Sequence, residues 1–404
     1  MNWFELELGD VLTIKHGWSF KGEYFTDQGK FILLTPGNAW ERGGLKLKGD
    51  SEKYYSGDFP EEFLLKQGDM LVVMTDLKQT APILGGTFII PEDDKFLHNQ
   101  RLGLIEISHP EKVDKRFIYY VFNSPIFRAQ VKGSATGATV RHTAPERIYQ
   151  CKVPCPTDID IQRHIADILS AYDDLIENNN RRIALLEESM RLQYREWFVR
   201  LRFPGHEHVN IVDGLPEGWR KKPLEEVSDL TMGQSPPSDT YNTNGDGLPF
   251  HQGVTGFGDR FVNHDTFCTQ FNRIAEPGDI LFSVRAPVGR INITLDRVII
   301  GRGLSAIRSK TGDQSFLFYQ LKDHFFKEDM LGGGAIFASV TKKELSGEFL
   351  LVPRNGIVRE FERISQPVDQ QIVNLHLQNC RLTEARDLLL PRLMSGEIQV
   401  VHYR

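Results

Sequence analysis

The apolar positions of this chain follow one rhythm, change to another, and then go through the same change again. Up to about residue 150 they come in short runs bounded by turn residues: Phe31–Leu34, Met70–Met74, Thr87–Ile90 and Leu102–Ile107. Runs of this length, rich in β-branched and aromatic side chains, predict strands. An aromatic-rich helix is expected after them, over about 115–131. The period then lengthens. Ile161, Ile165, Ile168, Tyr172, Leu175 and Asn179 step by alternating fours and threes, and after a one-residue shift Ile183, Leu186, Met190, Tyr194 and Trp197 continue the stripe. That is the spacing of a long, coiled-coil-like helix. About 40 residues at 1.5 Å each would make a rod of roughly 60 Å. Asp158 or Asp160 suits its cap, and Asn179 puts a polar group on the stripe, where it would fix register.

Copy two repeats the order. Ile280–Val284, Arg290–Thr294, Val298–Ile300 and Leu304–Arg308 predict strands, and a helix over about 315–330 follows. Ile372, Leu375, Leu382 and Leu389 then mark a second long helix at about 367–395. Pro367 suits its first turn, with a separate helical piece at about 357–365 ending there, and Pro391 is expected to kink or restart it. Residues 202–218, with Gly and Pro at both ends, read as a linker.

Direct matches support a duplication. Gly68-Asp69-Met70-Leu71 returns as Gly278-Asp279-Ile280-Leu281 at an offset of 210. Ala81-Pro82 returns as Ala286-Pro287 at 205, Arg101 as Arg302 at 201, and Phe117–Phe127 as Phe316–Phe326 at 199. Glycine-rich loops, Gly133–Val140 and Gly332–Val340, follow, and Asp173, Ile176 and Asn178 match Asp369, Ile372 and Asn374 at 196. The offsets shrink in order, as loop deletions in the second copy would produce. The two long helices need apolar partners: each packs on its own module, or the two pack antiparallel on each other and hold the modules at opposite ends of a rod.

The chain has 404 residues, 40% hydrophobic and 25% charged, the profile of a soluble protein of two or three domains. Runs such as Phe349–Val352 and Leu388–Leu390 are far shorter than the roughly 20 residues of a membrane span. Met1-Asn2-Trp3-Phe4-Glu5 lacks the features of a signal peptide, so a cytoplasmic location with no membrane partner is expected. Cys151, Cys155, Cys268 and Cys380 have no metal-ligand spacing and read as idle or buried thiols; no metal or other cofactor is expected. The net charge of −6 counts against a nucleic-acid partner, yet it is unevenly spread. Residues 273–310 carry seven Arg and Lys against three acids, whereas 158–178 carry six acids against Arg163 alone.

The whole pattern resembles the specificity subunits of type I restriction–modification systems, along essentially the full chain. The matching pieces include Gly278–Leu281 followed by Val284-Arg285-Ala286-Pro287-Val288-Gly289, and the module opening Gly218-Trp219 through Leu224 to Gly233. Val153-Pro154 with Gln162–Leu169, and the ending Arg386–Ile398, also match. Ile161 departs from the family, standing where a glutamate is expected, and the second copy reads Pro353-Arg354-Asn355-Gly356 in place of a proline pair. The resemblance implies an α+β fold: two mixed α/β target-recognition domains separated by two long helices packed as an antiparallel coiled coil, in a pseudo-two-fold repeat. The expected divisions are 1–156 and 219–355 for the recognition domains, 157–201 and 356–404 for the helical spacers, and 202–218 for the linker. It further implies that each domain reads half of a split, asymmetric site in double-stranded DNA. The helices would set the gap and dock two methyltransferase subunits, and motor-nuclease subunits would join in a full restriction complex.

Base edges are read by Arg, Lys, Asn and Gln, and phosphates by any basic group. In copy two the candidates for DNA contact are Arg285 and Arg290, which bracket a tight turn; Arg302, between Gly301 and Gly303, whose small size lets backbone approach a partner; Lys342 and Lys343; and His251 and Gln252. Copy one offers Lys78, Gln79, Arg101, Arg141 and His142. Each could equally be a solvated surface group. A catalytic role finds no support in the sequence. No methyltransferase tetrad occurs (Ser235-Pro236-Pro237-Ser238 is the nearest), there is no P-loop, Gly256-Phe257-Gly258 is too short for a dinucleotide site, and Glu61-Glu62 through Lys66 reads as a solvated helix face rather than a nuclease centre. Two alternatives remain open: a scaffold that binds protein, and an enzyme with a site of its own.

Overall fold

A computed structural model of the chain describes residues 2–325 and 339–400. It divides into two compact units, Met1–Asn178 with Gln378–Arg404, and Asn179–Leu377. The glycine-rich loop expected at Gly332–Ile336 and the end of the helix expected over 315–330 lie outside the described residues.

In unit 1 the main sheet joins β1 (Leu12–His16), β2 (Met70–Val73), β3 (Thr87–Ile89) and β4 (Leu102–Ile107) in the order β1-β4-β2-β3, antiparallel throughout. Its central strand reads as a continuous apolar run because both faces are buried. Met70 and Val72 enter a core with Ile105, Phe117, Ile118 and Phe127, while Leu71 and Val73 enter a second core with Ile32, Phe88 and Phe96. Alternate residues of a strand point to opposite faces, so one run feeds two cores. A smaller sheet, in which Phe31–Leu33 pairs in parallel with Phe96–Leu97, covers the second face. Helices α1 (Lys115–Asn123) and α2 (Pro125–Ser134) cover the first. The single helix expected over 115–131 is thus two: Pro125 opens a new helix, and Ser124 caps it by accepting from Phe127 N.

Unit 2 repeats this plan. Its main sheet joins β5 (Ser228–Met232), β6 (Ile280–Ser283), β7 (Ile291–Ile293) and β8 (Leu304–Ser309) in the order β5-β8-β6-β7. Its second sheet has Leu248–His251 parallel to Val298–Ile300. A helix that starts at Gln314 packs on one face with Ile280 and Phe282. Residues 202–218 are more than a tether. Ile211–Val212 and Leu215–Pro216 form a hairpin around Asp213-Gly214, and Phe203 is buried against Trp219 at 4.9 Å.

Two long helices, α3 (Ile159–Tyr194) and α4 (Asn355–Met394), each contribute a segment to both units. A short helix, Lys342–Gly347, precedes α4. Asp158 begins α3, its carboxylate accepting from Asp160 N at 2.9 Å. In unit 1, Ile165, Ala166 and Leu169 of α3 share a core with Leu393 and Met394 of α4, and Asp173 pairs with Arg386. These contacts run in opposite senses along the two segments. Two details of the expected stripe differ: Ile168 and Leu175 are exposed, and Leu169 takes the inward place. Helix α4 is also continuous through Pro367 and Pro391. Pro367 cannot donate to the Arg363 carbonyl, but both residues lie on the exposed face, where an unpaired carbonyl costs least.

The matched aspartates do equivalent work. Asp173 accepts from Tyr120 Oη at 2.7 Å and binds Arg386. Asp369 accepts from Tyr319 Oη at 2.9 Å and from Arg260 at 2.6 Å. Arg260 is almost fully buried and also reaches Glu187 of α3 at 3.3 Å, its guanidinium lying 4.4 Å from the Phe318 ring centre. Burial alone would lower its pKa, but Asp369, Tyr319 and Glu187 outweigh that and raise it. Replacing Arg260 by Ala strips two largely buried carboxylates of their cation and is expected to cost roughly 3 kcal/mol in denaturant unfolding. A loss under about 1 kcal/mol, the size expected of an exposed pair, would contradict this role.

Candidate nucleic-acid interface

Strand register brings three chain ends together at one edge of unit 2. His251 pairs in parallel with Ile300, and Ser283 pairs antiparallel with Leu304. The segments beyond these pairs are held by Gly301 N→His251 O (2.8 Å), Gly303 N→Gln252 O (3.1 Å) and Val284 N→Gly303 O (2.9 Å). Gln252, Arg285 and Arg302 therefore line one open cleft of about 240 Å³, with Ser283, Val254 and Gly303. The glycines around Arg302 do permit a close approach, but the partner is the chain itself. A Cβ on Gly303 would stand 2.4 Å from the Gln252 carbonyl, and one on Gly301 would stand 2.7 Å from Gln252 Oε1.

Ser235 ties the rim, donating to Gln252 Oε1 at 2.8 Å and accepting from Arg302 N at 3.2 Å. No residue pattern around Ser235 marks it for this place. Arg285 and Arg302 are exposed and form no ion pair among the described residues. By contrast Arg308 is paired with buried Asp279 at 2.5 Å and Arg297 with Glu276 at 3.1 Å, so two of the seven basic groups of 273–310 are engaged by acids of the same segment. Arg290 lies beyond the turn and outside the cleft lining, its N–H bound to Ser283 Oγ at 2.8 Å. Lys342 and Lys343 are exposed on the first turn of the helix Lys342–Gly347, capped by Thr341.

His251 departs from the expectation of an exposed loop contact. It is 4% exposed, and burial pulls its pKa down to about 4, with His264 adding to the effect. Its Nε2 lies 3.0 Å from His264 Nδ1.

In unit 1, Val73 pairs with Leu102 as Ser283 does with Leu304, and Met74 N bonds to Arg101 O as Val284 N does to Gly303 O. The counterpart of Arg302 is therefore Gln100, and Arg101 corresponds to Gly303. The sequence match of Arg101 to Arg302 is one residue out of register. By the same register, Thr75 corresponds to Arg285 and Thr35 to Gln252. Arg101 itself is exposed, as are Lys78 and Gln79. The loop bearing these last two is folded by buried Asp76, whose carboxylate accepts from Lys78 N at 2.9 Å and Ile83 N at 2.8 Å; Lys78 Nζ is 3.7 Å from Glu41. Arg141 turns inward, donating to the carbonyls of Lys132, Ala135 and Gly137, so it braces its own loop. His142 is exposed, with Nδ1 3.0 Å from Thr75 Oγ1.

Among the described residues no helix is long and apolar enough to cross a membrane, and no cluster of three or more His, Cys, Asp or Glu side chains is placed to hold a metal ion. Gly303→Ala is expected to destabilise the chain by about 1–3 kcal/mol through overpacking on the Gln252 carbonyl, read as a lowered unfolding midpoint. An unchanged midpoint would mean that these strand ends are not held as described.

A family model described as the type I restriction modification DNA specificity domain matches residues 1–188 and 216–356. The Methanocaldococcus jannaschii protein designated as the specificity subunit of type I restriction enzyme MjaX is 30% identical over 316 residues, 75% of this chain and 72% of that one. The EcoBI specificity subunit of Escherichia coli is 23% identical, with 98% of this chain and 86% of that protein covered. In fold, the S subunit of a type I restriction–modification system from M. genitalium aligns over 99% of this chain and 97% of its own, with a TM-score of 0.59 at 19% identity. With the family model covering most of both units, the chain belongs to the type I restriction–modification DNA specificity family.

Proposed function

We propose that this chain is the sequence-reading subunit of a type I restriction–modification complex. Each recognition domain, 1–156 and 219–355, reads one half of a bipartite, asymmetric site in double-stranded DNA. The observation that carries this reading is the pair of strand-end sites: the same three strand ends converge in both units, yet they carry Gln252, Arg285 and Arg302 in one and Thr35, Thr75 and Gln100 in the other. Shared geometry with unlike side chains is what two readers of unlike half-sites require. Arg285, Arg302 and Gln252 supply the donors and acceptors that base edges recognise, while Lys342, Lys343, Arg290, Lys78, Gln79, Arg101 and His142 flank as phosphate or sugar contacts.

The two modules arose by duplication and are related by an approximate two-fold axis. The long helices pack as an antiparallel coiled coil that sets the gap between half-sites, roughly one helical turn of DNA, ~34 Å. Leu185, Leu192 and Leu388, exposed on those helices, suit the docking of two methyltransferase subunits, and motor-nuclease subunits complete a restriction complex. The chemistry belongs to those partners; this chain works in the cytoplasm and carries no catalytic centre or cofactor of its own.

The test uses the chain assembled with a methyltransferase partner. Binding should prefer one sequence and weaken steeply with salt, since phosphate contacts release counterions. Sequence-blind, salt-insensitive binding would favour a protein scaffold instead. Arg302→Ala and Arg285→Ala should each cost about 1–3 kcal/mol on the preferred duplex and relax one half-site only. Exchanging residues 1–150 for those of a relative should alter the other half alone. A change in both halves would contradict two independent readers.

A further inference from the structure

Next to the Arg285–Arg302 cleft lies a second depression of about 250 Å³, which shares Gln252 and Gly253 with it. Tyr241 and Phe250, ring centres 4.5 Å apart, form one wall, and His251, Gly256 and Asn263 contribute to the rest. Behind it runs a relay of three titratable side chains. His251 Nε2 is 3.0 Å from His264 Nδ1, and His264 Nε2 is 3.1 Å from Asp296 Oδ2.

The order of these contacts dictates where the protons sit. A carboxylate only accepts, so His264 meets Asp296 with a hydrogen on Nε2, and in that neutral tautomer its Nδ1 is left to accept. His251 must then donate to it from Nε2. Since burial keeps His251 neutral, its own Nδ1 is left without a hydrogen. His251 lines the depression, and Gly256 stands against that nitrogen, where a Cβ would lie 2.9 Å from it. An exposed carboxylate thus sets the polarity of a buried nitrogen through an intervening ring.

The geometry points to His251 Nδ1 as a hydrogen-bond acceptor of fixed polarity that reads an amino group on a DNA base, N6 of adenine or N4 of cytosine. These are the donors that base pairs display in the major groove. The inference rests on the DNA-reading role proposed above for this edge of unit 2. Unit 1 has no counterpart, because the parallel pairing of its small sheet places Leu34 where His251 stands, so the discrimination belongs to a single half-site.

The experiment is a chemical double-mutant cycle on the complex with methyltransferase subunits, after the preferred sequence has been determined for the wild type. Duplexes are made with one adenine at a time replaced by purine, which lacks the N6 amino group, or one cytosine by 2-pyrimidinone, which lacks N4. One replacement should weaken wild-type binding on the order of tenfold and His251→Phe binding hardly at all, and the base concerned tells adenine from cytosine. Undiminished selection of the opposite half-site shows that the variant is folded. Histidine ring ¹⁵N spectra of the wild type should show Nδ1 of His251 without a proton and Nε2 with one. A protonated Nδ1, or no position where the wild type and His251→Phe differ, overturns the inference and leaves the DNA-reading role standing. A wild-type complex that selects no sequence at all overturns both.

Discussion

The main sheet of each unit is apolar on both faces, and the remaining elements answer that constraint. Met70 and Val72 require one cover, Leu71 and Val73 another. Neither face tolerates water, so helices close one side and a small second sheet closes the other. The helical side recruits a segment of each long helix, through Ile165, Leu169 and Leu393 in unit 1 and Tyr194 and Phe361 in unit 2. Buried Asp–Tyr–Arg clusters then fix those segments in place. At Asp369, Arg260 ties a loop of the recognition module to both long helices by charge-assisted hydrogen bonds that only one arrangement satisfies.

The second cover creates the candidate site. Its parallel strand pair, Leu248–His251 with Val298–Ile300, delivers two chain ends to the place where Ser283 leaves the main sheet. Backbone hydrogen bonds and glycines hold these ends, so side chains at the rim can vary without disturbing the frame. Rigid strands with free termini suit the sequence-reading role proposed for this edge. The inward-facing Arg141 shows the other side of this division: a basic residue on a candidate loop is spent on shaping the loop.

Much of the fold was legible because burial on both faces writes itself as continuous apolar runs; Met70–Val73 and Ile280–Ser283 fall where those runs predict. The long helices were legible by period, although Ile168 and Leu175 turn outward and Pro367 interrupts nothing. Proline in a helix costs little where the freed carbonyl faces solvent, and sequence does not tell which face that is. The site was harder to read. Arg285, Arg302 and Gln252 could be named from residue type, but their convergence depends on strand register. The same register moves the partner of Arg302 from Arg101 to Gln100. His251 looked like a loop contact, and only its burial and its link to His264 and Asp296, far apart in sequence, reveal a relay. The Asp173–Asp369 match was visible as a repeat, while its purpose required knowing what Tyr120 and Tyr319 reach.

The central claim, that two unlike readers share one frame, is tested most directly by mapping methylated bases in a host that expresses this chain with methyltransferase subunits. The account predicts a single motif of two unlike specified segments separated by a fixed number of unspecified base pairs. A continuous or palindromic motif, or methylation that does not depend on this chain, would contradict it.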